Sequence, residues 1–179
     1  FRSVGVHRLY ALESLGAVET ICFDKTGTLT KSRIRVLSLL AGRRRIAVRS
    51  DIFRSGSRRI DPLADRDLRR LLVAGILCNE SKVEPDPDTG KRRLSGSPTE
   101  VALLQMGIRS GLDLQRIYAR HPLRRVRHRG ETRRYMVTVH GAPGNNRRIY
   151  VKGDPAEILE MCSRQVRSSR TIRLTAGVE

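Results

Sequence analysis

The segment Asp24-Lys25-Thr26-Gly27-Thr28-Leu29-Thr30 constrains this chain more than any other. It follows the apolar run Val18-Glu19-Thr20-Ile21-Cys22-Phe23, which reads as a buried strand of a parallel sheet. The polar heptad then falls where that strand ends, and open α/β sheets bind their ligands beyond the carboxyl ends of strands. A carboxylate placed there can attack a phosphoryl group. Gly27 permits a tight turn, while the threonine hydroxyls and nearby N–H groups can hold phosphate oxygens. Lys25 brings a cation close to the transferred charge. Asp24 is thus the candidate nucleophile, with Lys25, Thr26 and Thr28 around it. Without chemistry, the same residues are a strand and a polar turn.

The heptad resembles, in full, the phosphorylation motif of P-type ATPases, ion pumps that pass through an aspartyl phosphate. Gly5 to Gly16 is similar to the stalk that leads from a membrane helix into the catalytic domain of that family. The resemblance implies Mg²⁺ at Asp24 and Thr26. Related phosphatases carry a second Asp two residues after the nucleophile, where it acts as general acid and base. Here that position is Thr26, so an acyl phosphate should live longer, as a pump requires and a phosphatase does not.

Three further segments resemble the nucleotide-binding domain of the same family, in the same order. They are Leu77-Cys78-Asn79-Glu80 with Gly96-Ser97-Pro98-Thr99-Glu100, then Arg133 to Val139, then Lys152-Gly153-Asp154-Pro155-Ala156-Glu157. The second part of the first pair and the last segment are similar to elements of the calcium, sodium and proton pump branch. The resemblance implies that Glu100, Arg129, Arg134, Lys152 and Gly153 bind ATP. Chemically, Lys152 can reach adenine or a phosphate, Glu100 can accept from the adenine amino group, and Arg134 can neutralise the triphosphate. Ser97-x-x-Glu100 is also a capping box, so Glu100 has a purely helical reading beside the ligand one. The family stacks adenine on a Phe where this chain has Arg129; Tyr118, Tyr135 and Tyr150 are alternative rings. His121-Pro122, a pair also found in heavy-metal pumps, lacks that branch's surroundings and reads as a loop-to-strand junction.

Composition narrows the partners. The 179 residues carry a net charge of +18, and 31 of the 36 basic residues are arginine. Such a field attracts nucleotide, anionic membrane surfaces or nucleic acid. Aromatic residues are 4% of the chain and no base-stacking motif is present, so a dedicated nucleic-acid module is disfavoured. No run approaches the ~20 apolar residues that cross a bilayer, and no signal-peptide pattern opens the chain. The expectation is a soluble piece of a membrane pump, on the cytoplasmic face of the membrane. Its partners would be ATP and the remaining phosphorylation, actuator and transmembrane domains. The segments that complete the catalytic machinery in the family are not recognisable here, so nucleotide binding without turnover is expected. Two rivals are an aspartate-nucleophile phosphatase and a non-catalytic basic module for anions or nucleic acid. Cys22, Cys78 and Cys162 have no metal-ligand spacing and read as free buried thiols.

The pattern along the chain predicts an α+β fold, an antiparallel sheet with packed helices. The resemblance implies that it is preceded by the first strand of an α/β HAD-like phosphorylation domain, with residues 1–31 the stalk end and the start of that domain and residues 32–179 the nucleotide-binding domain. Helices are expected over 7–15, from Asp61-Pro62 through Cys78, from Ser97 through Ile108, over 113–119, and from Asp154 through Met161. Strands are expected over 34–40 and 46–48 with Gly42 in their turn, over 135–140 and 149–152, and over 171–174. Residues 50–59 and 81–95 read as loops.

Overall fold

A computed structural model describes residues 16–23, 29, 34–86, 90 and 92–174. The expected helix over 7–15 and the whole of Asp24 to Thr28 lie outside the described residues. The chain divides into two compact units, Phe1–Arg33 and Ile34–Glu179.

In the first unit, Val18 to Phe23 is not the buried strand that its composition predicts. No described strand pairs with it, and Val18, Ile21 and Phe23 are exposed. A strand is held by ladder bonds to a neighbour; with none among the described residues, the apolar run stays uncovered. Cys22 is exposed with it, against the expectation of a buried thiol.

The second unit is α+β, and every strand pairing in it is antiparallel. It opens with a four-stranded meander, β1 (Ser38–Ala41), β2 (Arg44–Arg49), β3 (Ile52–Ser55) and β4 (Arg58–Ile60), in that spatial order. Gly42 and Arg43 both have positive φ, 58° and 67°, the signature of a two-residue hairpin turn whose twist matches its strands. A side chain at Gly42 would also collide with the Asp67 carboxylate. In β2 Ile46 and Val48 are buried while Arg45, Ala47 and Arg49 face solvent.

Residues 50–59, expected as a loop, supply β3 and β4. Ile52, Arg54 and Arg59 occupy the solvent face, whereas Phe53 and its cross-strand partner Ile60 both point into the core. Residues 81–95 are likewise a hairpin, β5 (Lys82–Pro85) with β6 (Arg92–Ser95). In both stretches turn-forming and charged residues hide a period-two pattern only three or four residues long.

Helix α1 (Arg66–Leu77) starts later than expected. Asp61 closes a local turn instead, accepting the Leu63 amide at 2.9 Å, and Asp65 is the true cap, accepting from Leu68 N at 3.0 Å. Leu68, Leu72 and Ile76 recur every fourth residue on its buried face. Together with Ala41, Ile46, Val48, Phe53, Ile60 and Met106 of helix α2 (Pro98–Arg109), Leu68 and Leu72 form the main core. Complete burial of a side chain such as Phe53 contributes roughly 1.5–3 kcal/mol.

Helix α3 (Leu114–Arg120) is capped by Asp113, and a three-stranded meander follows: β7 (Leu123–Arg127), β8 (Tyr135–Ala142) and β9 (Asn146–Gly153). Buried Met136, Thr138 and His140 line one face of β8. The C-terminal carbonyl of α1 at Leu77, which has no helical partner, accepts from Thr138 Oγ1 at 3.2 Å and lies 3.0 Å from His140 Nε2. Cys78 follows, buried against the same face; burial pushes its thiol pKa up, so it is an unreactive packing residue. Helix α4 (Pro155–Glu160) is capped by Asp154, and the hairpin of β10 (Arg164–Arg167) with β11 (Arg170–Arg173) closes the described chain. Its turn is tied to α1, because Ser169 N donates to both oxygens of the buried Asp67, at 3.1 and 3.0 Å. Cys162 precedes this hairpin and is exposed, not buried.

Candidate functional site

The β8–β9 register decides which side chains can meet. Met136 is paired with Lys152, Thr138 with Tyr150 and His140 with Arg148, so these six share one face of the sheet. The N-terminus of α2 lies by the Lys152 end of that face. Ser97 occupies the cap position of α2 but makes no side-chain cap bond. The carboxylate of Glu100 is therefore not consumed by a capping box. Its Oε1 is ion-paired with Lys152 Nζ, and its Oε2 accepts the Glu80 amide at 2.8 Å. Both side chains are mostly covered, 28% exposed for Lys152 and 12% for Glu100. Desolvation of that degree makes a lone charge costly and a paired one tenable.

Asn79 holds this arrangement from below. Its Nδ2 donates to the Glu100 carbonyl at 2.9 Å and to Gly75 O at 3.2 Å, and its Oδ1 accepts from Ser81 N at 2.8 Å. The end of α1 and the first turn of α2 are thus locked together by one amide side chain. Glu80 reaches out to His128 Nδ1 at 2.9 Å, and the His128 carbonyl accepts from Arg133 at 2.7 Å. Arg133 lies over the Tyr135 ring, 5.5 Å from its centre. The result is a continuous polar chain from Lys152 through Glu100, Glu80 and His128 to Arg133.

The sequence-derived candidates are distributed as follows. Glu100 and Lys152 are brought into contact. Gly153 pairs with Tyr135, and a Cβ there would overlap the Arg134 carbonyl and the Tyr135 backbone, so it permits a close strand approach beside Lys152. Arg134 is not a free guanidinium: its Nε donates to Glu157 Oε1 at 2.8 Å, and its Nη1 lies 3.5 Å from Asp154. Those carboxylates push its pKa up further, the Glu157 hydrogen bond first. Arg129 sits exposed on the loop after β7. Asp24, Lys25, Thr26 and Thr28 lie outside the described residues. Of the three rings, Tyr135 is on the face of β8 opposite to Lys152. Tyr150 shares the Lys152 face but meets His140 edge-on, with centres 5.6 Å apart. Tyr118 belongs to α3 and is exposed, and its partial covering pushes its phenol pKa up.

Asn79, Glu80, His128 and Arg133 were not assigned roles from the sequence. Asn79 and Glu80 stand in a segment that resembles the family, where an Asn two residues past a helix end is a visible signal. His128 carries no local signal, since only the tertiary fold brings it to Glu80. Among the described residues no three His, Cys, Asp or Glu side chains are grouped to hold a metal ion. No described helix is long and apolar enough to cross a membrane.

Residues 67–179 match the family described as P-type ATPase, cytoplasmic domain N. The cation-transporting ATPase pma1 of Synechocystis sp. is 29% identical over 90% of this chain and 19% of its own length. Calcium-transporting ATPase 1 of Lactococcus lactis is 31% identical over 88% of this chain and 16% of its own length. A probable cation-transporting P-type ATPase of Mycoplasma genitalium is 32% identical over 87% of this chain and 14% of its own length. The chain thus spans less than a fifth of the length of these curated relatives. On its motifs, its α+β fold and the match over 67–179, the chain belongs to the cytoplasmic N domain of the P-type cation ATPases.

Proposed function

We propose that the second unit binds ATP at Lys152 and Glu100 and, in an intact cation pump, delivers the γ-phosphate to Asp24. The observation that carries this reading is the contact between Lys152 and Glu100. Two residues of separately recognised motifs, 52 positions apart, converge in one partly covered place. Glu100 offers a carboxylate acceptor suited to an exocyclic amine, and Lys152 an ammonium suited to a ring nitrogen or a phosphate. Gly153 lets the backbone approach there. Arg134 is held by Glu157 and Asp154, so on this reading it acts on the triphosphate only by exchanging carboxylate partners for phosphate.

Asp24 would be the nucleophile, with Lys25, Thr26 and Thr28 beside it. Mg²⁺, held at Asp24 and Thr26, would neutralise phosphate charge. Transfer would depend mainly on positioning and electrostatics. Thr26 in place of a general base would preserve the phosphoenzyme. On this reading the parent is a membrane protein with this unit on its cytoplasmic face. The relatives that are named calcium- or cation-transporting ATPases support the pump class.

The test is an amide-resolved NMR titration of the 179-residue chain with ATP, repeated for Lys152→Ala and Glu100→Ala. Saturable shifts around residues 79–80, 100 and 152–153, lost in both variants, are the expected result. Unchanged wild-type spectra at millimolar ATP would refute the site. The same chain should show no steady ATP hydrolysis, and turnover would contradict the reading.

A further inference from the structure

A cavity of the second unit, about 850 Å³, lies elsewhere; neither Lys152 nor Glu100 lines it. It is bounded by α1, α3 and the start of β9. Its floor is apolar, with Leu63, Val73, Leu112, Ile117, Ile149 and the Tyr150 ring. Six arginines surround that floor: Arg66, Arg69 and Arg70 from α1, Arg116 and Arg120 from α3, and Arg148 from β9. None of the six is in an ion pair among the described residues. The one carboxylate at the cavity, Asp113, already caps α3 by accepting from Arg116 N at 3.1 Å.

Local stability does not account for this arrangement. Arg66, Arg69 and Arg70 crowd the first turns of α1, where the helix dipole disfavours cations. Arg66 with Arg70, and Arg116 with Arg120, are like charges four residues apart on a helix, a spacing that destabilises it. His121 also lines the cavity and is 7% exposed.

We propose that this cavity is a second ligand site, for a soluble organic polyphosphate whose apolar or aromatic body rests on the floor while its phosphates engage the arginines. The volume falls within the range of roughly 300–1,000 Å³ typical of small-molecule sites. Guanidinium groups pair with phosphate oxygens in a bidentate fashion, and three converging elements supply more of them than one phosphate can use. The site stands independently of the Lys152–Glu100 reading.

The experiment maps amide shifts of the 179-residue chain with ATP, with inorganic tripolyphosphate, and with vesicles containing phosphoinositide. Both soluble probes should give saturable shifts over residues 66–73, 111–121 and 148–150, with ATP the tighter because it adds an apolar body. The triple variant Arg69→Ala/Arg116→Ala/Arg148→Ala should weaken that binding roughly tenfold or more. Lys152→Ala should leave it intact. Shifts confined to the Lys152 region would overturn the proposal and leave the ATP reading standing. Overturning it equally would be non-saturating shifts that include Arg164 to Arg173, or binding of vesicles alone. The wild-type map decides the question even if the triple variant fails to fold.

Discussion

The ammonium of Lys152, near the C-terminal end of β9, is ion-paired with Oε1 of Glu100 in the first turn of α2, while the other oxygen of Glu100 accepts the Glu80 amide. One carboxylate therefore fastens a strand, a helix and the segment after another helix. Any ligand that enters here must compete with or insert beside this pair.

Removing either partner leaves a mostly covered charge unpaired. Glu100→Ala and Lys152→Ala should each cost about 1–2 kcal/mol of stability, less than a fully buried pair because Lys152 keeps some solvent. Glu100→Gln should cost less, since its amide oxygen can still accept the Glu80 amide. Chemical denaturation of the three variants checks the order, and equal losses in all three would refute it.

Gly153 faces Tyr135 across the β8–β9 ladder with no room for a methyl group. Gly153→Ala should destabilise the unit by about 1–3 kcal/mol, because backbone atoms rather than a flexible side chain obstruct the Cβ. The shift should appear in the thermal midpoint, together with perturbed amides at 134–136. A neutral substitution would show that the two strands can separate without loss.

Asp67 is buried, and both of its oxygens accept the Ser169 amide. Asp67→Ala should cost about 1–3 kcal/mol by leaving that N–H without its acceptor. The β10–β11 hairpin depends on such ties, because two-stranded hairpins are marginal alone and Arg164 opposes Arg173 across it. Hydrogen exchange over residues 164–173 should accelerate more than exchange in α1. Uniform acceleration across the unit would contradict this.

His121 gives a pH dependence. Burial lowers its pKa below the ordinary 6.5; the Gly141 backbone contact opposes the shift, and Arg148, Arg120 and His140 add to it. Well above pH 6.5 the imidazole is neutral in both states and has no effect on folding. As pH falls below 6.5 the unfolded chain takes up the proton first, so stability declines until the lower folded pKa is passed. Denaturant midpoints measured from pH 7.5 downward should fall in that window, and His121→Asn should flatten the decline. An identical slope in the variant would assign the effect to another group.

Much of this was legible in the chain itself. The Asp24 heptad and the three later segments named the family. Asp113 and Asp154 announced helices that formed where expected, because a capping side chain acts on amides two or three residues away. The alternation around Met136, Thr138 and His140 marked β8, where eight residues leave room for the period to show. The short strands β3, β4, β5 and β6 were missed because three or four residues amid arginine, serine and glycine carry too little pattern. Val18 to Phe23 had the composition of a strand but no described partner to make it one.

Local order alone thus determined the motifs, the long alternating strands and most helix starts, since each rests on interactions within a few residues. The tertiary structure decided the rest. It diverted Glu100 from its own helix cap to Lys152, tied Arg134 to Glu157, and set His128 against Glu80. It also gathered arginines from two helices and a strand around one cavity. Those outcomes depend on which faces the β8–β9 register and the packing of α1 and α2 turn toward each other, and that information resides in contacts between residues far apart in the chain.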